Sequence, residues 1–230
     1  MRLDQFIATS SPLSRKEARR AIHAGTVEVN AEVWKGTGKH VPAGAQVMLE
    51  GVLLALPGER YLMLNKPAGY ISATRDSDQP TALDLLPAEL ARNLHIAGRL
   101  DADTTGLLLL TSDGQWSHRV TSPKVECPKT YQVTLSEPIS QAAIAALETG
   151  LVLRNDTKPT KPAQVTVLQS QLIELTISEG RYHQVKRMLG AVDNHVTALH
   201  RSRIGTVTLD INLAPGQFRH LTSSEIAGFN

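Results

Sequence analysis

The chain of 230 residues has one cysteine, Cys127, which excludes an internal disulfide and any multi-cysteine metal site. It also lacks a long apolar run. "GLLLL", Gly106 to Leu110, is far too short to cross a bilayer, and the opening "MRLDQFIATS" carries an early acid and no apolar signal-peptide core. A soluble cytoplasmic protein with no membrane partner is expected. Charge of one sign is scarce as well: 24 Lys and Arg stand against 22 Asp and Glu, a net of +2, too little by itself to indicate a polyanionic partner. No G-x-G-x-x-G or Walker-type lysine loop is present, so a nucleotide cofactor has no recognisable cradle. There is no H-E-x-x-H, and His183, His195 and His200 lie in basic surroundings without clustered carboxylates. There is no G-x-S-x-G elbow for a serine nucleophile. The expectation is therefore no cofactor and no metal. Internal repeats and low-complexity tracts are also missing.

What is present is an ordinary globular composition, 41% hydrophobic and 20% charged, with the basic residues gathered in two places. "SRKEARRAIHAG", Ser14 to Gly25, sets Arg15, Lys16, Arg19 and Arg20 against the single acid Glu17. "GRYHQVKRM" and "HRSRIG" bring together Arg181, Lys186, Arg187, Arg201 and Arg203. Separate basic patches in a nearly neutral chain point to local docking on phosphates, with a merely solvated face as the alternative for each.

The first 50 residues read as a compact unit. Ser14 and Glu17 form a capping-box spacing, which predicts a helix from Arg15 to Ala24 stopped at Gly25, with Ala18, Ala21 and Ile22 inward. Leu3, Phe6 and Ile7 support a short helix before it, and alternating valines after it predict short antiparallel strands. Residues 51–59, with Pro57 and Gly58, read as a linker, and residues 60–230 as a second, larger domain. That domain has an α+β pattern. Strands are expected at Tyr61–Leu64, Tyr70–Thr74, Leu107–Thr111, Tyr131–Leu135, Val165–Leu168, Leu172–Ile177 and Val196–Arg203. Helical stretches are expected at "TALDLL", at "SDGQWSHRVTS" opening on Ser112, and at "SQAAIAALETG" ending on Gly150.

The chemistry centres on "AGRLDADTTGLLLLTSDG", Ala97 to Gly114, where Arg99, Asp101 and Asp103 precede a buried-strand pattern. Asp and Gly before a strand often mark only a turn. An Asp is nevertheless already an anion at neutral pH and needs no activating base to attack an electrophilic carbon. Burial strengthens such a nucleophile if a cation keeps it charged, and Lys186 or Arg187 in "GRYHQVKRM" could be that cation.

Taken together, "RLDQFIA", "SRKEARRAI", "GTVEVN", "YLMLNKPAGY", "GRLDADTTGLLLLTSDG", "KTYQV", "ISEGRYHQVKRM" and "ALHRSRIG" resemble the bacterial ribosomal small subunit pseudouridine synthases. The match runs along almost the whole chain in family order. The resemblance implies a small S4-like RNA-binding domain followed by a pseudouridine synthase domain built on a mixed, largely antiparallel sheet with flanking helices. It makes Asp101 the catalytic aspartate, Tyr131 the aromatic residue packed near the target base, and Lys186 the cation paired with the aspartate. Related branches commonly carry Arg at that last position, and Tyr182 and His183 replace the Asn-Arg pair common elsewhere. Arg99 and Arg181 are expected to hold the substrate, Arg15, Lys16, Arg19 and Arg20 to contact phosphates, and Asp103 to stabilise the loop. By resemblance the target is uridine 516 of 16S ribosomal RNA in a partly assembled small subunit, modified by a monomer without cofactor. In the family's proposed routes the aspartate adds to the base, acylates ribose C1′ or removes the 2′ proton. Two other readings keep parts of the pattern: a synthase for large-subunit RNA, and a non-catalytic RNA-binding assembly factor.

Overall fold

The computed structural model describes residues 1–56 and 58–229, so the expected turn residue Pro57 lies outside the described residues. The chain divides into two compact units, Met1–Glu59 and Arg60–Asn230. In the first, α1 (Leu3–Ser10) and α2 (Arg15–Ala24) precede the strands β1 (Val27–Val29), β2 (Glu32–Val33), β3 (Val47–Leu49) and β4 (Val52–Leu54). The capping box forms as its spacing requires, with Ser14 bonded to the Glu17 backbone and Glu17 reaching back to Ser14. Gly25 ends α2 in the left-handed conformation, φ 77°, which a residue without a Cβ adopts at no steric cost. Leu3, Phe6, Ile7, Ala18, Ile22, Val27, Val29 and Val47 close the small core. The segment expected to be a linker is shorter than its turn residues suggested. Val52–Leu54 pair with Val47–Leu49, because the intervening Glu50 and Gly51 both take positive φ and turn the chain back as a hairpin.

The second unit contains β5 (Tyr61–Lys66), a short 3-10 helix (Ala82–Leu85), α3 (Ala88–Ala91), β6 (His95–Ala97), β7 (Thr105–Thr111), α4 (Gly114–Thr121), β8 (Lys129–Leu135), α5 (Gln141–Thr149), β9 (Gln164–Gln169), β10 (Leu172–Ile177), α6 (Gln184–Gly190), β11 (Val196–Ile204), β12 (Val207–Thr208), β13 (Phe218–His220) and α7 (Ser223–Ala227). Its nine-stranded sheet runs β13-β5-β7-β11-β8-β10-β9, with β12 beside β11 and β6 beside β7. All pairings are antiparallel except β7 with β11, so the sheet is mixed and largely antiparallel.

Both faces of the centre are covered. Leu108 and Leu110 face one core with Leu62, Leu64, Val133 and Leu175, while Leu107 and Leu109 face the other with Met63, Trp116 and Ile204. Successive side chains alternate across a strand, which is why "LLLL" is apolar throughout rather than at every second position. Trp116 of α4 sits edge-on between Tyr61 and Phe229.

Two local readings need correction. Tyr70–Thr74 is not a strand: only an isolated bridge, Ile71 to Thr81, forms there. The segment instead turns toward the loop before β7, where its polar groups find partners. The helix at "SDGQWSHRVTS" is capped by Asp113 and not Ser112, since the Asp113 carboxylate reaches the amides of Gln115 and Trp116.

Candidate active site

The loop from Gly98 to Thr104 joins β6 to β7 and carries Asp101. Its backbone is held at five successive carbonyls. Arg201 Nη2 and Nη1 donate to Gly98 O (2.8 Å) and Arg99 O (3.3 Å), and Ser72 Oγ donates to Leu100 O (2.8 Å). The Thr104 amide donates to Asp101 O (3.1 Å), and the Gly69 amide (2.8 Å) and Lys66 Nζ (3.2 Å) donate to Ala102 O. A loop with five successive carbonyls paired has little freedom to reorient, which is what a reacting side chain on it requires. The acids therefore stand at the mouth of a buried strand because the strand, its parallel neighbour and the preceding segment together immobilise the loop.

Two buried cations build that scaffold. Lys66, at the end of β5, is fully buried and donates to the carbonyls of Pro67, Tyr70 and Ala102. Burial lowers its pKa to about 8, against the pull of Asp103 and Asp101, which favour the charged form. Arg201 of β11 is 1% exposed and also donates through Nε to Leu107 O at 2.9 Å. Its guanidinium lies 5.9 Å from the Tyr131 ring centre, with Nη1 3.5 Å from the Tyr131 hydroxyl. Lys66 has no expected role in the sequence, and Arg201, expected in a phosphate-docking patch, is instead buried on backbone carbonyls. "HRSRIG" reads as a surface patch until β11 is placed in mid-sheet, although the alternation of Leu199 with Arg201 is an inward-facing signal.

Asp101 itself remains 30% exposed. Its Oδ2 lies 3.3 Å from Lys186 Nζ and its Oδ1 3.4 Å from His183 Nε2. Lys186, on the first turn of α6, also bonds both oxygens of Asp103, at 2.7 and 2.8 Å. The Asp103 carboxyl is held below its ordinary range by that hydrogen bond, which outweighs its partial burial. Burial pulls the Lys186 pKa down, but the hydrogen bond to Asp103 and the attraction of Asp101 more than offset it, so Lys186 stays a cation. The sequence left Arg187 open as the partner of Asp101; the structure turns Arg187 away, onto Asp156 and the Arg154 and Tyr182 carbonyls.

Asp101, His183 and Lys186 line a cleft of about 620 Å³ that Tyr131, Arg99 and Arg181 also border. Tyr131 is largely buried in its wall. Arg99 is exposed, and among the described residues its guanidinium has no hydrogen bond or ion pair. Arg181 differs, because its N–H groups are occupied by Asp156, Glu179 and the Lys158 and Pro159 carbonyls, so it staples the loop beside the cleft. Among the described residues no three His, Cys, Asp or Glu side chains gather as a metal-binding group.

In the first unit the four basic residues of α2 do not form a uniform set. Asp4 is fully buried and paired with Arg15, Arg19 and Arg2 at 3.2, 2.9 and 3.2 Å. Burial works against its charge, but the three guanidinium groups dominate and hold its carboxyl well below the usual range. Arg15 and Arg19 keep half of each side chain exposed, whereas Lys16 and Arg20 are exposed without an ion pair among the described residues.

Residues 60–191 match the family model for RNA pseudouridylate synthase, and residues 1–47 match that for the S4 domain. The chain is 50% identical over 228 residues to the ribosomal small subunit pseudouridine synthase A of Yersinia pestis, covering 99% of this chain and 97% of that protein. It is 50% identical over 228 residues to the protein of the same name from Escherichia coli (strain K12), covering 99% of both. A solved structure described as a pseudouridylate synthase superposes with a TM-score of 0.74 at 47% identity, covering 100% of each chain.

Proposed function

Because the chain belongs to the RNA pseudouridylate synthase family and begins with an S4 domain, we propose that it converts one uridine of small-subunit ribosomal RNA, uridine 516, to pseudouridine with Asp101 as the catalytic residue. The observation that carries this is the placement of Asp101: an accessible carboxylate on an immobilised loop, between a cation and an imidazole, in a cleft of nucleotide size. The small-subunit target rests on the names and near-complete coverage of the relatives.

The reaction breaks the bond from uracil N1 to ribose C1′ and joins C5 to C1′. The proton on C5 leaves, N1 gains one, and no electrons are gained or lost overall. Addition to the base, acylation of C1′ and removal of the 2′ proton all use a carboxylate at the sugar or base, and Lys186 places a positive charge 3.3 Å from that of Asp101. A base must leave its stack to reach a cleft of this kind, and Tyr131 on the wall replaces part of the lost stacking. Arg99, with its guanidinium exposed beside Asp101, takes an adjoining phosphate.

Substitution at Lys186 tests the pairing. Lys186→Met leaves Asp101 and Asp103 adjacent without their shared cation, and kcat should fall by roughly 10²- to 10³-fold. Lys186→Arg retains the charge and should recover most of that loss. Equal defects in the two variants would exclude charge pairing as the role of Lys186.

RNA docking divides by the arrangement around Asp4. Lys16→Ala with Arg20→Ala should weaken RNA binding and make the slope of log K against log salt shallower by about 1 to 2, without lowering the melting temperature. Arg15→Ala with Arg19→Ala should also destabilise the first unit, because a fully buried carboxylate loses two of its partners. An unchanged salt slope after the first pair of substitutions would remove Lys16 and Arg20 from the RNA contact.

Chemical mapping of pseudouridine across small-subunit RNA tests the function. Incubation with the purified protein should produce one new pseudouridine, at position 516, with partly assembled particles modified better than mature subunits. Modification of large-subunit RNA alone would redirect the assignment, and no modified uridine in any ribosomal RNA or particle would overturn it.

A further inference from the structure

Tyr182 is 73% exposed, the most exposed aromatic side chain among the described residues, and it stands at the border of the cleft. One face of its ring is stacked on His183, with centroids 3.8 Å apart and planes inclined by 20°. His183 takes the left-handed backbone conformation, φ 47° and ψ 37°, and its side chain makes no capping bond to the helix it precedes. That uncommon backbone for a bulky residue turns the imidazole back toward Asp101, 3.4 Å away, and leaves Tyr182 as the outer layer of the stack. The turn that carries the pair is clamped on both sides through one acid. Arg181 and Arg187 bond the two oxygens of Asp156, and Arg187 also bonds the Tyr182 carbonyl.

We infer that Tyr182 is a stacking platform for a nucleobase flanking the target uridine, a substrate-binding residue added to those of the cleft interior. The inference rests on the proposed RNA reaction and extends it to the neighbouring nucleotide. An apolar ring so exposed gains nothing from burial in the free protein, and its orientation is fixed by the imidazole beneath it. Its outer face is therefore an aromatic surface presented to whatever enters the cleft. His183 touches both this ring and Asp101, so a strand whose target nucleotide reaches Asp101 passes its next base across Tyr182. Bases stack on such rings with little sequence preference, and enzymes acting on an extruded base read its flanking nucleotides in this way.

The test uses the full chain with small-subunit RNA, reading both the dissociation constant and the steady-state constants. Tyr182→Ala should raise Kd and KM about 5- to 150-fold, the effect of losing one stacked base, with kcat within about twofold and the melting temperature unchanged. Tyr182→Phe and Tyr182→Trp should retain tight binding. An abasic nucleotide at one flanking position should weaken wild-type binding by a similar factor and weaken Tyr182→Ala little further. Unchanged Kd and KM in Tyr182→Ala, with pseudouridine still formed, would overturn the platform. An RNA affinity that depends on Tyr182 without any pseudouridine product would support the platform and overturn the proposed reaction instead.

Discussion

Asp101→Asn should reduce pseudouridine formation by roughly 10⁴-fold or more, to background, while RNA affinity and melting temperature stay near those of the parent. The amide has the carboxylate's size but neither its charge nor its capacity to attack or accept a proton. The fold should tolerate the change because Lys186 keeps its shorter bonds to Asp103, so no buried cation is stranded. The loop keeps its shape because the bonds to its five carbonyls involve the loop backbone and not the Asp101 side chain. Turnover and RNA binding measured on the same preparation separate chemistry from docking. Near-normal turnover would exclude Asp101 from the reaction.

Gly106→Ala should strongly destabilise the catalytic unit with a single methyl group. Gly106 has φ +101° and lies opposite Arg201 in the parallel pairing of β7 with β11. A Cβ there would overlap the Arg201 carbonyl oxygen and come within 2.9 Å of its amide nitrogen. Those neighbours are backbone in mid-sheet, so relief requires the two strands to part. The expected cost is about 3 to 5 kcal/mol from overlap and backbone strain together, a fall in melting temperature on the order of 10 °C. Activity should suffer beyond stability, since moving Arg201 withdraws its bonds from Gly98 and Arg99. A calorimetric scan and a turnover assay well below the melting temperature check both parts. An alanine variant melting within 2 °C of the parent, with full activity, would show that β7 and β11 are not held this closely.

The elements most legible in the sequence are those set by local chemistry. The Ser14–Glu17 box and Gly25 bound α2 to the residue because their hydrogen bonds lie within one turn. Leu107 to Leu110 announced a strand buried on both faces. The pairing of Asp101 with Lys186, 85 positions apart, came from resemblance and not from spacing, and the structure brings the two within 3.3 Å. The scaffold beneath them was not legible. Lys66 and Arg201 look like any surface cation until β5 and β11 are placed in the sheet; Lys66 then reaches the distant Ala102 carbonyl, and Arg201 those of Gly98, Arg99 and Leu107. The reading of Tyr70–Thr74 as a strand failed for the same reason: Ser72 and the Tyr70 carbonyl are occupied by Leu100 and Lys66 and not by a strand neighbour. Arg15 and Arg19 likewise read as free phosphate ligands because nothing local marks Asp4 as buried.

Release of the C5 hydrogen is the signature of the isomerisation, since C5 exchanges its hydrogen for the bond to C1′ and no simple RNA-binding role does so. The most direct measurement is tritium release from small-subunit RNA labelled at uridine C5, with the wild-type chain and Asp101→Asn in parallel on partly assembled particles. The account predicts release that plateaus at one tritium per fully labelled target uridine with the wild type and none above background with the variant, although both bind. Binding without tritium release from the wild type, or equal release from both proteins, would contradict it.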